Sequence, residues 1–218
     1  MEHIAVIPAR KESKGLKNKN RILIDNCLRF VKKIKWFKKV IITSDDEFII
    51  NKAIKNKLCF IKRSKKLSNG KISIKTVMLD VIKKTNLNKN TIVWLIYIPL
   101  IGKKKNEFDK AKKIIQKKKN KSLCGFAPVK SHPFNAWYLR KKKMKRLFNK
   151  DIYRRQDLPK MWEHNHLICA FKVDELNKLN SELINNNTTP FIFKKKAASN
   201  IIEIDYKEDL KKIDKNNV

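Results

Sequence analysis

Short apolar runs alternate with amphipathic stretches along this chain, and that alternation limits the fold more than any other feature. Runs of strand character lie at 4–8, 39–43, 58–61, 91–98, 122–128, 166–171 and 190–193. Stretches of helical character lie at 46–55, 73–84, 107–118, 173–183 and 207–213, and in the first of these Phe48, Ile49, Ala53 and Ile54 suit one face. Strand–helix alternation predicts an α/β fold with a mostly parallel central sheet covered by helices on both faces. At 218 residues and 42% hydrophobic residues, the chain is expected to form a single globular domain. No stretch is long and apolar enough to span a membrane, and the N-terminus opens into a strand without a charged-then-apolar leader, so a cytoplasmic protein is expected.

One segment breaks the rhythm. Residues 131–162 carry Phe134, Trp137, Tyr138, Phe148, Tyr153 and Trp162 among dense Lys and Arg, with no clean helical or strand period. Two readings fit: an excursion that forms a lid or a dimer contact, or a surface segment anchored by its aromatics.

The strand at 4–8 empties into Ala9-Arg10-Lys11-Glu12-Ser13-Lys14-Gly15-Leu16-Lys17-Asn18-Lys19-Asn20. A buried strand feeding a basic, Gly-containing loop is one way an α/β protein cradles phosphate at the carboxyl end of its sheet. A solvated charged loop is the plainer reading. The loop has neither the Walker A spacing nor the three-glycine dinucleotide fingerprint, so neither an ATPase nor a dehydrogenase is supported. Arg10, Lys14 and Lys19 are spaced to converge on a triphosphate around a turn at Gly15.

Three further groups carry chemistry. Asp45 ends the apolar run before 46–55, at the carboxyl end of the sheet; Ser44 or Asp45 capping the next helix explains the same residues. Glu203 and Asp205 alternate with Ile202 and Ile204, which in an extended segment puts both carboxylates on one side and suits Mg²⁺ near phosphates. An edge strand with a polar outer face fits equally. Arg154-Arg155-Gln156 followed by Asn165 offers paired guanidiniums and amides for a carboxylate. His164 and His166 lack an obvious third metal ligand in the sequence. Cys27, Cys59, Cys124 and Cys169 are scattered in apolar contexts, as buried free thiols would be.

The charge balance is +34, from 54 Lys+Arg against 20 Asp+Glu. The lysines are spread over nearly every segment instead of forming one footprint, which argues against nucleic acid as the partner. A basic surface still favours anionic substrates.

Taken in order, these blocks resemble the acylneuraminate cytidylyltransferase family, the CMP-sialic acid synthetases and their relatives. The resemblance rests on I-P-A-R-x-x-S-K-G-x-x-x-K-N at 7–20, the strand ending in Ser44-Asp45, P-V-x-x-H-P at 128–133, R-Q-D-L-P at 155–159, and the D-I-D-x-x-x-D-L-like run at 203–210. It implies a Rossmann-like nucleotidyltransferase fold and a homodimer. It implies transfer of CMP from CTP to the anomeric hydroxyl of an acidic nine-carbon sugar, with loss of pyrophosphate. Arg10, Ser13, Lys14, Gly15, Lys19, Asn20 and Asp45 would hold CTP, with Arg10, Lys19 and Asp205 serving the transfer. Glu203 and Asp205 would bind Mg²⁺, and Arg155, Gln156 and Asn165 would face the sugar. Four features depart from the family pattern, one being a segment 21–39 shorter than usual. The family's Q-P-T-S-P-L-R block is replaced here by Leu95-Ile96-Tyr97-Ile98-Pro99-Leu100-Ile101, Gly70 stands where an acidic residue is usual, and Glu203 replaces Asp. These departures carry the alternative of a nucleotide-binding relic of the same fold.

Overall fold

The computed structural model describes residues 1–213. Its strands are β1 (His3–Ala9), β2 (Lys39–Ser44), β3 (Cys59–Lys62), β4 (Ile92–Leu95), β5 (Leu100–Ile101), β6 (Ser122–Pro128), β7 (Trp137–Arg140), β8 (Lys143–Arg146), β9 (Trp162–Lys172), β10 (Thr189–Ile192) and β11 (Ile202–Glu203). Its helices are α1 (Lys19–Lys33), α2 (Glu47–Lys55), α3 (Lys65–Ser68), α4 (Ile74–Thr85), α5 (Lys105–Ile115) and α6 (Lys195–Ala198). Seven strands form one sheet in the order β10-β6-β9-β4-β1-β2-β3. All run parallel except β9, which pairs antiparallel with both β4 and β6.

β1 is buried at all seven positions, as a central strand covered on both faces must be. Its alternate residues feed two cores. Ala5, Ile7 and Ala9 pack with Leu23, Ile24 and Cys27 of α1 and with Phe108 and Ala111 of α5. Ile4 and Val6 pack with Val77, Met78 and Val81 of α4 and with Leu176, Leu179 and Leu183. The expected helices on both faces are therefore present.

The structure corrects several expectations. Residues 19–33, expected as no regular element, form the 15-residue helix α1. In α2 the buried face is Ile49, Ile50 and Ala53; Phe48 and Ile54 are exposed, because the cap falls at Asp46, whose side chain accepts from the Phe48 N–H. The expected helix at 173–183 is a 3-10 turn over Val173–Lys178 followed by tight turns, and Lys207–Lys212 is likewise 3-10. The aperiodic 131–162 segment contains a hairpin of β7 and β8 with both faces exposed, so no alternation of polarity is required of it. Cys59 is an exposed thiol on edge strand β3, while the other three cysteines are buried as expected. No helix of the described residues is long and apolar enough to cross a membrane.

Candidate active site

The basic loop leaves the carboxyl end of β1 and is fastened on several sides. The Lys11 N–H donates to Asp45 Oδ1 at 2.8 Å, and Asn20 Nδ2 donates to the Arg10 carbonyl at 2.8 Å. The Ser13 hydroxyl donates to the Leu16 carbonyl, and Leu16 is buried. Asn18 takes a left-handed conformation, φ 58°, where the loop enters α1. Gly15 lies flat against the far end of the chain: a Cβ there would stand 2.2 Å from the Asp205 carbonyl oxygen. The glycine is needed for close approach, since its φ is ordinary.

Over this loop opens a cleft of about 290 Å³. Arg10, Ser13, Lys19 and Asn20 line it, while Lys14 and Gly15 of the same stretch do not. Arg63 also lines it; it is buried and donates from Nη2 to the Thr43 carbonyl at 2.9 Å. Burial pushes its guanidinium down to about 10, leaving it charged at neutral pH. The amino end of α4 also faces the cleft: Ser73 caps it and lines the wall. Three cations and a helix N-terminus make an anion site. Gly70 lines it as well, and a Cβ there would sit 3.3 Å from the Arg10 guanidinium. With glycine at this position, no side chain at 70 neutralises Arg10.

Lys19 Nζ reaches Asp205 Oδ1 at 2.7 Å. Asp209 holds that aspartate in place, accepting from the backbone N–H groups of Asp205 and Tyr206 at 3.0 and 2.9 Å. Its hydrogen bonds, first from Lys212 and then from these amides, keep the Asp209 carboxyl well below the usual carboxylate range. β11 stops at Glu203, so the carboxylates do not share a continuous strand face as the period of two predicts. They are neighbours nonetheless. Burial, and then repulsion from Asp205, pushes the Glu203 carboxyl up.

A second cleft of about 540 Å³ lies beyond Glu203. Arg155, Asn165, Lys130 and Lys195 line it together with Glu203. Glu203 thus belongs to the second cleft, while its neighbour Asp205 is bonded to Lys19 of the first.

Not every expected site residue reaches a cleft. The Asp45 carboxylate is spent on the Lys11 amide, so it shapes the loop and does not line the cavity. Gln156 is exposed in a 3-10 turn and lines neither cleft, because that turn presents Arg155 instead. Arg154 is tied to Asp157 at 2.8 Å. Lys14 lies near Gly70 at the rim, its Cε 3.7 Å from a Cβ built there. In the stretch 95–101 only Tyr97 and Pro99 face the first cleft; Leu95 and Ile101 are buried.

Arg63 and Glu182 line the cleft although no sequence motif marks them, and Tyr97 and His166, to which the sequence assigns no role here, line it too. Burial, then the Glu203 charge, pushes the Tyr97 hydroxyl up. His166 Nε2 lies 2.9 Å from the Glu182 carbonyl and 3.8 Å from its carboxylate. Burial lowers the His166 pKa. The carbonyl contact joins residues 16 apart through a turn no motif marks, so the sequence shows the His164–His166 spacing but not Glu182 beside it.

Comparison with known proteins agrees with this architecture. The architecture matches CMP:2-keto-3-deoxy-manno-octonic acid synthetase complexed with CTP, at a TM-score of 0.65 and 12% identity, over 98% of this chain and 97% of that one. It matches 4-diphosphocytidyl-2C-methyl-D-erythritol synthase at 0.63 and 9%, over 97% of each chain. The 2-C-methyl-D-erythritol 4-phosphate cytidylyltransferase of Francisella tularensis matches at 0.65 and 9%, over 100% of both. These likenesses are of fold, a nucleotidyltransferase α/β fold. No curated protein sequence matches the chain. The sequence model of the family described as cytidylyltransferase matches residues 4–216. By that match over nearly its whole length, the chain belongs to the cytidylyltransferase family.

Proposed function

We propose that the protein transfers CMP from CTP to the anomeric hydroxyl of an acidic nine-carbon sugar of the sialic-acid class. The new bond joins the sugar oxygen to the α-phosphorus, the α–β phosphoanhydride bond breaks, and pyrophosphate leaves. One observation carries the reading: Lys19 of the cationic cleft pairs with Asp205, and Glu203 beside it lines the second cleft. Two substrate-sized spaces therefore meet at two carboxylates.

In the first cleft Arg10, Lys19 and Arg63 neutralise the triphosphate, with Ser13 and Asn20 beside them. In the second, Arg155 and Asn165 face the sugar carboxylate. Such a transfer needs charge neutralisation and alignment more than covalent help from the protein. Glu203, its pKa raised by burial and then by the Asp205 charge, fits a divalent cation, since two adjacent carboxylates want positive charge beyond Lys19. Mg²⁺ accepts one or two carboxylates completed by phosphate oxygens, and bound here it would offset charge on the departing pyrophosphate. The chain acts as one domain, and it pairs as a homodimer through the 131–162 excursion.

The two clefts predict separable kinetics. Lys19→Met should raise the KM for CTP or abolish turnover. Arg155→Ala should raise the KM for the sugar roughly tenfold or more, one charge-assisted contact's worth, with the CTP KM little changed. Equal effects of Arg155→Ala on both substrates would refute the assignment.

A second reading, nucleotide binding without turnover, is favoured by Leu95 and Ile101. Both side chains are packed in the core at 0% and 2% exposure, so neither reaches the nucleotide. That reading predicts saturable CTP binding with no pyrophosphate release for any acidic sugar.

A further inference from the structure

We propose that His164, His166 and Glu182 bind one transition-metal ion of the zinc type, at a site chemically distinct from the Glu203–Asp205 pair. Their donor atoms all lie within 4.8 Å of one another.

The backbone sets this geometry. Pairing of β9 with β6 slips between Cys124↔Cys169 and Gly125↔Asn165, leaving 166–168 without partners. Such a bulge bends the strand and re-aims its side chains. The two imidazoles, two residues apart, come to 5.5 Å between centroids at 76°, angled about a common region and not stacked. The third donor comes from a turn built independently. The Asn180 side chain accepts from the N–H groups of Glu182 and Ile184 at 2.9 and 3.1 Å. The Asn180 N–H donates to the Ile184 carbonyl at 2.9 Å, and Leu183, at φ 61°, is buried. Glu182 is thereby held beside the histidines without help from any ligand.

Glu182 Oε2 stands 3.8 Å from His166 Nε2 and 4.0 Å from His164 Nε2. Tetrahedral zinc, with bonds of about 2.0–2.1 Å, separates its donors by roughly 3.3–3.5 Å. Against that spacing, the two Glu182 contacts need to close by only about half an ångström. The side chains of His164 and Glu182 have the freedom for this, at 37% and 53% exposure. His166 Nε2 faces the Glu182 carbonyl at 2.9 Å and donates to it, so binding of the ion there gives up that hydrogen bond and moves the neutral ring's proton to Nδ1.

The donor set selects the metal. Two imidazoles with one carboxylate suit Zn²⁺, Co²⁺ or Ni²⁺, whereas Mg²⁺ seeks oxygen donors such as Glu203 and Asp205. Three protein donors leave a fourth position open. The three residues lie where the clefts adjoin, since His166 and Glu182 line the first and His164 the second.

The test is a titration of chelator-treated, full-length protein with Co²⁺ in excess Mg²⁺, followed by visible absorption. The expected result is one Co²⁺ per chain, with d–d bands that one equivalent of Zn²⁺ abolishes. His164→Ala and Glu182→Gln should each weaken it roughly tenfold or more. The Glu203→Gln/Asp205→Asn double variant should leave it unchanged. Circular dichroism establishes that each variant is folded, and two separate surface positions guard against one that is not. Wild-type protein binding Co²⁺ no tighter than His164→Ala, or a signal lost in the Glu203/Asp205 variant, would overturn the proposal.

Discussion

An added methyl group at Gly15 would meet the Asp205 carbonyl oxygen at 2.2 Å, far inside van der Waals contact. The backbone at 205 must then move, and the Lys19–Asp205 pair with it. Gly15→Ala is therefore expected to lower kcat/KM by about tenfold or more, with a melting temperature within a few degrees of wild type. Steady-state kinetics beside thermal melts check this, and unchanged kinetics would remove the contact from the account. His3 offers a test that does not involve the site. It is buried, accepts from Trp94 Nε1 at 3.0 Å, and is pushed down to about 4, chiefly by burial and then by Lys112. Below pH 6.5 the unfolded chain takes up a proton at this position that the folded chain refuses until about pH 4. Stability should thus fall through that window as pH drops, by on the order of 2–3 kcal/mol from this group. Denaturant melts across pH 4–7 measure it, and His3→Asn should flatten the slope. The residue scale also shows why some of the site was readable and some was not. Arg10, Ser13, Lys19 and Asn20 sit within one short stretch, the loop after β1 and the first turn of α1, whose spacing announces them. Arg63, Tyr97 and Glu182 stand alone in sequence and meet the loop only after the sheet has formed. That Gly15 abuts Asp205 joins residues at opposite ends of the chain, which no local pattern reveals.

Among the elements, strands were easier to read than helices. β1 and β6 are buried, nearly unbroken apolar runs, whereas α1 hides its stripe among charges. Its Leu23, Ile24, Cys27, Leu28 and Val31 do recur at helical spacing, and seven of its fifteen residues are buried. The 131–162 excursion gave no period because its hairpin covers no core. Instead it exposes Trp137, Leu139, Met144, Leu147 and Phe148, at 50%, 69%, 58%, 57% and 40%. So many apolar side chains on one projection are a liability in a monomer and an asset in a dimer. Leu139→Glu together with Met144→Glu should convert the expected homodimer to a monomer, read by light scattering on a sizing column. A wild-type protein that elutes as a monomer would contradict the pairing.

At the scale of the whole molecule, the site is a product of topology. β1 delivers the cationic loop and β2 the Ser44–Asp45 turn that braces it. Antiparallel β9 carries Asn165 and the histidines into the same region. The chain end then crosses over, pairing β11 with β5, and sets Glu203 and Asp205 between the two clefts. The order of blocks was visible in the sequence because each loop follows its own strand. The division into two clefts was not, since it depends on how β11 folds back. The net charge of +34 is scattered over nearly every segment, so it raises the local concentration of anionic substrates without marking the site. The most direct measurement is pyrophosphate release by the purified protein with CTP, Mg²⁺ and a panel of acidic nine-carbon sugars, against a Glu203→Ala/Asp205→Ala control. The account predicts release with at least one such acid, dependent on Mg²⁺ and lost in the control. Release no greater than the control for every acid tested would contradict it.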